Sequence, residues 1–108
     1  MAINRVFLTG KVVGGIKHKM VDGYSVVNFS VSVPEGFGAN KRMYYFECSA
    51  YKKTADYLVE NAKRGTIVTI EGHLRQRKWV HDGVNRSAVE VDVDDVVISR
   101  TDEEKSEE

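Results

Sequence analysis

The chain alternates between apolar and polar positions over most of its length. From Asn4 to Val13 (NRVFLTGKVV), Val6 and Leu8 fall on one side of an extended segment and Arg5, Phe7 and Thr9 on the other, the period of a strand with one buried face. Gly10, Gly14 and Gly15 interrupt this run, and Asp22-Gly23 marks a turn before the next. From Tyr24 to Val33 the pattern is clean: Val27, Phe29, Val31 and Val33 share one face, Asn28, Ser30 and Ser32 the other. Pro34 is expected to end this strand, and Glu35 to Arg42 (EGFGANKR) reads as a loop. A third run, Met43 to Tyr51, divides into Phe46, Cys48 and Ala50 on one face and Tyr45, Glu47, Ser49 and Tyr51 on the other. A glutamate between two aromatics marks the second set as meeting water or a ligand, because an unpaired buried carboxylate is costly.

Between Thr54 and Lys63 the period lengthens to that of a helix, with Ala55, Leu58, Val59 and Ala62 on one stripe and Gly65 placed to end it. Alternation returns from Thr66 to Val80, where Val68, Ile70 and Leu74 point one way and Glu71, His73, Arg75, Arg77 and Trp79 the other. Asp82-Gly83 is a hairpin signal. Val84 to Val97 follows, with Val89, Val91 and Val93 expected inside and Glu90, Asp92 and Asp94 outside. This β-β-β-α-β-β order predicts an all-β fold: a five-stranded Greek-key barrel of the OB type, with one α-helix between the third and fourth strands. Residues 1–98 are expected to form that domain. Residues 99–108 (SRTDEEKSEE) have high charge and no apolar period, and are expected to be a short acidic disordered tail.

The chain has 108 residues, room for one modest core and no separate cofactor domain. No uncharged apolar run approaches the roughly 18 residues of a membrane span, and Met1 to Arg5 lacks the features of a secretory signal, so a cytoplasmic protein is expected. A single cysteine, Cys48, excludes an internal disulfide framework. The net charge is zero, yet it is unevenly spread. Residues 1–89 hold 14 Lys and Arg against 7 Asp and Glu, and the last 19 residues hold 2 against 9. A basic body suits a polyanion and an acidic end does not.

An OB barrel binds oligonucleotides or oligosaccharides on the face of its second and third strands. Binding a single strand without reading its sequence takes flat rings that stack on bases and cations that follow phosphates. The candidate rings are Phe37 in the loop, Tyr45 and Tyr51 on the third strand, and Trp79 on the hairpin arm. The cations beside them in sequence are Lys41, Arg42, Lys52, Lys53, Arg75, Arg77, Lys78 and Arg86. Each has a plainer alternative: the tyrosines could pack beneath a loop, the arginines could keep the hairpin soluble, and Trp79 could cap the barrel or sit between subunits.

The stretches NRVFLTG (4–10), VNFSVSV (27–33), KKTADYL (52–58), KRGTIVTIEG (63–72) and LRQRKW (74–79) together resemble the bacterial single-stranded DNA-binding protein family over about Asn4 to Val97. The resemblance implies sequence-nonspecific binding of single-stranded DNA in replication, recombination and repair. It also implies base stacking at the positions of Phe37, Tyr45, Tyr51 and Trp79, and a homotetramer of one-barrel chains. The first strand, with Phe7 opposite Val6 and Leu8, is the candidate subunit contact. Family members commonly end in an acidic tip finishing in Pro-Phe that recruits replication and repair proteins. Asp102 to Glu108 (DEEKSEE) has neither Pro nor an aromatic residue, so the hydrophobic anchor for those partners is missing. An acidic tail can still compete with DNA for a basic groove, more weakly as salt rises.

No reaction centre is legible. Cys48 has the inward parity of its strand, and His18, His73 and His81 have no nucleophile at a meaningful spacing. Asp92 and Asp94 alternate with valines, as the wet face of a strand does, and neither a metal nor a cofactor is called for. Two other readings remain. One is a replication-restart accessory resembling the primosomal protein family, whose main task is to dock a helicase. The other is a module for oligosaccharides or proteins, which would leave the basic residues around Arg75 to Lys78 idle.

Overall fold

The computed structural model describes residues 1–101, so the expected acidic tail lies outside the described residues from Asp102 onward. Five strands and one helix follow the expected order: β1 (Val6–Val21), β2 (Tyr24–Glu35), β3 (Arg42–Tyr51), α1 (Lys52–Asn61), β4 (Thr66–His81) and β5 (Val84–Thr101). The strands close into a barrel in the order β1-β2-β3-β5-β4, with β4 returning to β1. Every neighbouring pair is antiparallel except β3 and β5, which touch in parallel at Cys48–Val91 and Ser49–Asp92.

Alternation explains the core. Val12, Val27, Phe29, Val31, Cys48, Ala50, Val68, Ile70, Val91, Val93 and Val96 face the barrel axis, and Ala55 and Leu58 of α1 join the same cluster. The Asp22-Gly23 turn has both residues at positive φ (50° and 85°), and Asp82-Gly83 repeats the arrangement (52° and 76°). These mirror-image turns match the right-handed twist of the strands they join.

Several elements depart from their expected bounds. β1 does not stop at its glycines but runs on to Val21: Gly10 pairs regularly with Val68, and Gly14 and Gly15 are absorbed in a register shift between Val13 and Lys17. β2 continues through Pro34 to Glu35, because its pairing with β1 ends at Ser32 and beyond it Pro34 has only β3 as a neighbour. The helix spans 52–61 instead of 54–63, and Val59 is exposed at the edge of its stripe. β5 carries regular structure to Thr101, three residues past the expected domain boundary at 98.

The largest departure is in β4 and β5. Both outrun the barrel and pair with each other from Arg75–Glu90 to His81–Val84 as a two-stranded ribbon. Leu74 and Val89, expected inside, are exposed because a strand that has left the barrel no longer has a core beneath it. The side chain of Asn4 holds the root of the ribbon: its Nδ2 donates to the Leu74 carbonyl and its Oδ1 accepts from the Leu74 N–H, both at 2.8 Å.

Just before the ribbon the β4–β5 pairing shifts register, with Asp94 an extra residue of β5 between the Glu71–Asp95 and Gly72–Val93 pairs. A Cβ at Gly72 would lie 2.1 Å from the Asp92 carbonyl oxygen, a backbone atom that cannot step aside. Gly72→Ala is therefore expected to destabilise the fold by on the order of 3 kcal/mol. Gly15→Ala, where nothing lies within 4 Å of the added carbon, should stay within about 0.5 kcal/mol of the parent. Urea unfolding of the two variants checks this, and equal midpoints would contradict it.

Candidate nucleic-acid interface

Registered residues on neighbouring strands point the same way, so the ladders define the outer face of the barrel. On β2 and β3 the pairs are Val26–Tyr51, Asn28–Ser49, Ser30–Glu47 and Ser32–Tyr45. Lys19 stands opposite Val26 and Lys17 opposite Asn28, which adds two β1 cations to the same side. On the ribbon, His73–Asp92, Arg75–Glu90, Arg77–Ala88 and Trp79–Arg86 form the continuing rows.

A groove of about 490 Å³ runs between these rows, lined by Lys19, Tyr24, Asn28, Glu47, Tyr51, Arg75, Arg77 and Glu90 among others. Its polar floor is tied down by Ser49 Oγ donating to Asn28 Oδ1 (2.8 Å) and Ser30 Oγ donating to Glu47 Oε2 (2.6 Å). Arg75 crosses from the ribbon to β3, with Nη2 donating to the Tyr51 hydroxyl at 3.3 Å. The same guanidinium donates from Nε to Asp92 Oδ2 (2.9 Å) and from Nη2 to Glu90 Oε1 (3.3 Å). The Asp92 hydrogen bond is the main reason the Arg75 guanidinium is held even more firmly protonated than usual. Arg77 donates to Glu90 Oε2 (2.8 Å) and lies over the Trp79 ring, 4.4 Å from its centroid. At the other wall, Lys52 stands 5.3 Å from the centroid of Tyr24.

Some of the residues expected from sequence thus come together. Tyr51, Arg75 and Arg77 share the groove, Trp79 joins it by stacking on Arg77, Arg86 sits opposite Trp79, and Lys52 reaches it over Tyr24. Others lie elsewhere. Tyr45 is 64% exposed on the outer face of β3, six residues and about 20 Å of strand from Tyr51. Phe37, 91% exposed, precedes a one-turn 3-10 segment (Gly38–Asn40) in the β2–β3 loop, followed by Lys41 and Arg42. Tyr44 Oη donates to Glu35 Oε1 (2.7 Å) at the root of that loop, which raises the phenol pKa. Lys53 is exposed on α1, and Lys78 has the opposite parity from Trp79 and lines a separate cleft with it, Val80, Asn85, Arg86 and Ser87.

Lys19 and Tyr24 are groove residues that sequence reasoning misses, and Lys17 lies on the same face of β1, opposite Asn28. The signal for the two lysines is the alternation of Lys17, Lys19 and Val21, readable only if β1 passes through its glycines. The division of charge along the chain is also too simple a guide: Glu90 and Asp92, counted with the acidic end, fold into the cationic groove itself.

No catalytic arrangement emerges among the described residues. His18 Nε2 does meet a hydroxyl, Ser25 Oγ, at 3.1 Å, a contact that spacing does not foresee. Ser25 in turn donates its proton to Asp56 Oδ1, which leaves His18 as the donor to Ser25 and not as its base. The trio ties the β1–β2 hairpin to α1. Among the described residues no group of three or more His, Cys, Asp and Glu could hold a metal ion, and no helix is long and apolar enough to cross a membrane.

The closed barrel, with a groove between its β2–β3 face and the ribbon, defines an OB-fold. The model of the single-strand binding protein family matches residues 3–99, and the chain belongs to that family. It is 29% identical over 98 residues to the single-stranded DNA-binding protein of Neisseria meningitidis serogroup A, covering 84% of this chain and 56% of the relative. It is 26% identical over 100 residues to that of Aquifex aeolicus, covering 87% and 68%. The chain thus spans little more than half the length of the Neisseria relative. Among solved structures, a chain of the "Plasmodium falciparum SSB complex with ssDNA" shares the fold, with a TM-score of 0.84 at 19% identity over 92% of this chain and 96% of that one.

Cys48 lies beneath this face on the inward side of β3. Burial first, and the Glu47 carboxylate second, push its thiol from 9.0 up to about 12. Its thiolate at pH 8 is then about a thousandfold scarcer than that of an ordinary thiol. Ellman's reagent should label the native protein very slowly at pH 8 and the urea-unfolded chain at an ordinary rate. Rapid native labelling would contradict this placement.

Proposed function

We propose that the chain binds single-stranded DNA without reading its sequence, shielding exposed strands during replication, recombination and repair, and that it performs no catalysis. The observation that carries this reading is the joined groove: Tyr51 hydrogen-bonded to Arg75, Arg77 stacked on Trp79, and Lys19, Lys52 and Tyr24 on the facing wall. Rings that stack suit any base, and cations at both walls suit a backbone that must pass between them. Tyr45, Phe37, Lys41 and Arg42 extend the path along β3 and over its loop, with Lys53, Lys78 and Arg86 at its margins. A DNA partner of this kind fits a protein of the cytoplasm, associated with the nucleoid. The names of the curated relatives and of the structural neighbour support the same ligand.

Fluorescence of the sole tryptophan, Trp79, should fall as oligo-dT is added. Affinity should drop with salt at a slope near −0.7 per phosphate contacted, and Trp79→Ala should cost about 1–3 kcal/mol of binding. Unchanged emission at low salt, together with no electrophoretic shift, would defeat the assignment.

We also infer a homotetramer, because one groove of this size offers a short site and linked copies raise affinity through effective concentration. The outer face of β1 and β4 supports it as the contact. Phe7 is 70% exposed there beside Glu71, which pairs with Arg5 (3.5 Å), and Thr9 and Thr69 hydrogen-bond at 2.9 Å. Val97 is exposed on the neighbouring β5 row. Phe7→Arg should lower the mass measured by light scattering while leaving the circular dichroism intact. A parent chain already monomeric, or a variant of unchanged mass, would refute this contact.

A further inference from the structure

The groove contains its own anions. Glu90 spends both carboxylate oxygens on two different arginines, Oε1 on Arg75 and Oε2 on Arg77, and Asp92 Oδ2 takes the Nε of Arg75. The layering is consistent: the side chains of Glu90 and Asp92 keep 13% of their surface in solvent, those of Arg75 and Arg77 keep 40% and 50%. The carboxylates lie underneath and the guanidiniums on top, at the level a passing phosphate would reach. A phosphate and a carboxylate compete for the same planar fork of N–H donors, and both form short charge-assisted bonds with it.

We propose, building on the DNA-binding reading above, that Glu90 limits affinity: in the free protein its carboxylate stands in for phosphate on Arg75 and Arg77, and a bound strand must take both donors from it. The displaced carboxylate is largely enclosed and has given up its partners, so each phosphate contact at these arginines is discounted by the cost of stranding it. The opposite role, in which Glu90 holds the arginines in the geometry DNA requires, predicts an effect of the opposite sign.

The test measures oligo-dT affinity from Trp79 fluorescence over a salt series for the parent chain, Glu90→Gln, Glu90→Ala and Asp94→Asn. Glu90→Gln keeps the size of the side chain and removes its charge. It should tighten binding about tenfold at low salt and steepen the salt slope by roughly 0.7 for each additional phosphate held. Glu90→Ala should move the same way. Asp94, an exposed carboxylate bonded to His73 and not to either arginine, controls for net charge, and Asp94→Asn should shift affinity less than about twofold. Parent binding with unchanged or weaker affinity in both Glu90 variants overturns this inference alone, as does an equal gain from Asp94→Asn. No binding by the parent chain overturns the function and this inference with it.

Discussion

The structure depends on one close approach. At Gly72 the β4 backbone passes so near the Asp92 carbonyl oxygen that only a hydrogen atom fits between them. That contact sits at the register shift from Glu71–Asp95 to Gly72–Val93, which sets which residues of β4 stand opposite which residues of β5 along the ribbon. A slip of one residue would turn Arg75, Arg77 and Trp79 to the far side of the ribbon, because side chains alternate with a period of two. The groove is thus a consequence of register, and register is pinned by a residue with no side chain.

From that register follows a ladder of polar and charged contacts along the ribbon. His73 lies between Asp92 and Asp94, Asp92 and Glu90 share Arg75, and Glu90 leads to Arg77 and the Trp79 ring. A two-stranded ribbon beyond the barrel has little apolar burial to hold it. Cross-strand ion pairs supply part of what the core does not, and they also fix the guanidinium that stacks on the indole. The groups that line the groove therefore also steady the ribbon.

The barrel was legible because alternation with a period of two is a direct print of a sheet with one buried face. Val27, Phe29 and Val31 declare themselves inside with no other information, and the turns at Asp22-Gly23 and Asp82-Gly83 follow from the need for positive φ. Legibility failed where a local rule met a tertiary fact. Gly14 and Gly15 read as the end of a strand, yet β1 takes them in as a bulge, so the place of Lys17 and Lys19 beside Asn28 and Val26 of β2 was hidden. Leu74 and Val89 have the right parity for a core that stops short of them. The ion pairing of Arg75 and Arg77 was invisible for a different reason: a hairpin places Glu90 against residues 13 and 15 positions earlier, and only the register says which.

The ribbon also bears on how such a protein can change over time. Its tip, from Gln76 to Val89, is built of paired rungs that the core does not see. Two residues added to each strand preserve the parity of every side chain and lengthen the arm by nearly 7 Å, while a single added residue would invert the arm's faces. The length of the arm can therefore change in steps of two residues per strand without turning any of its side chains to the other face.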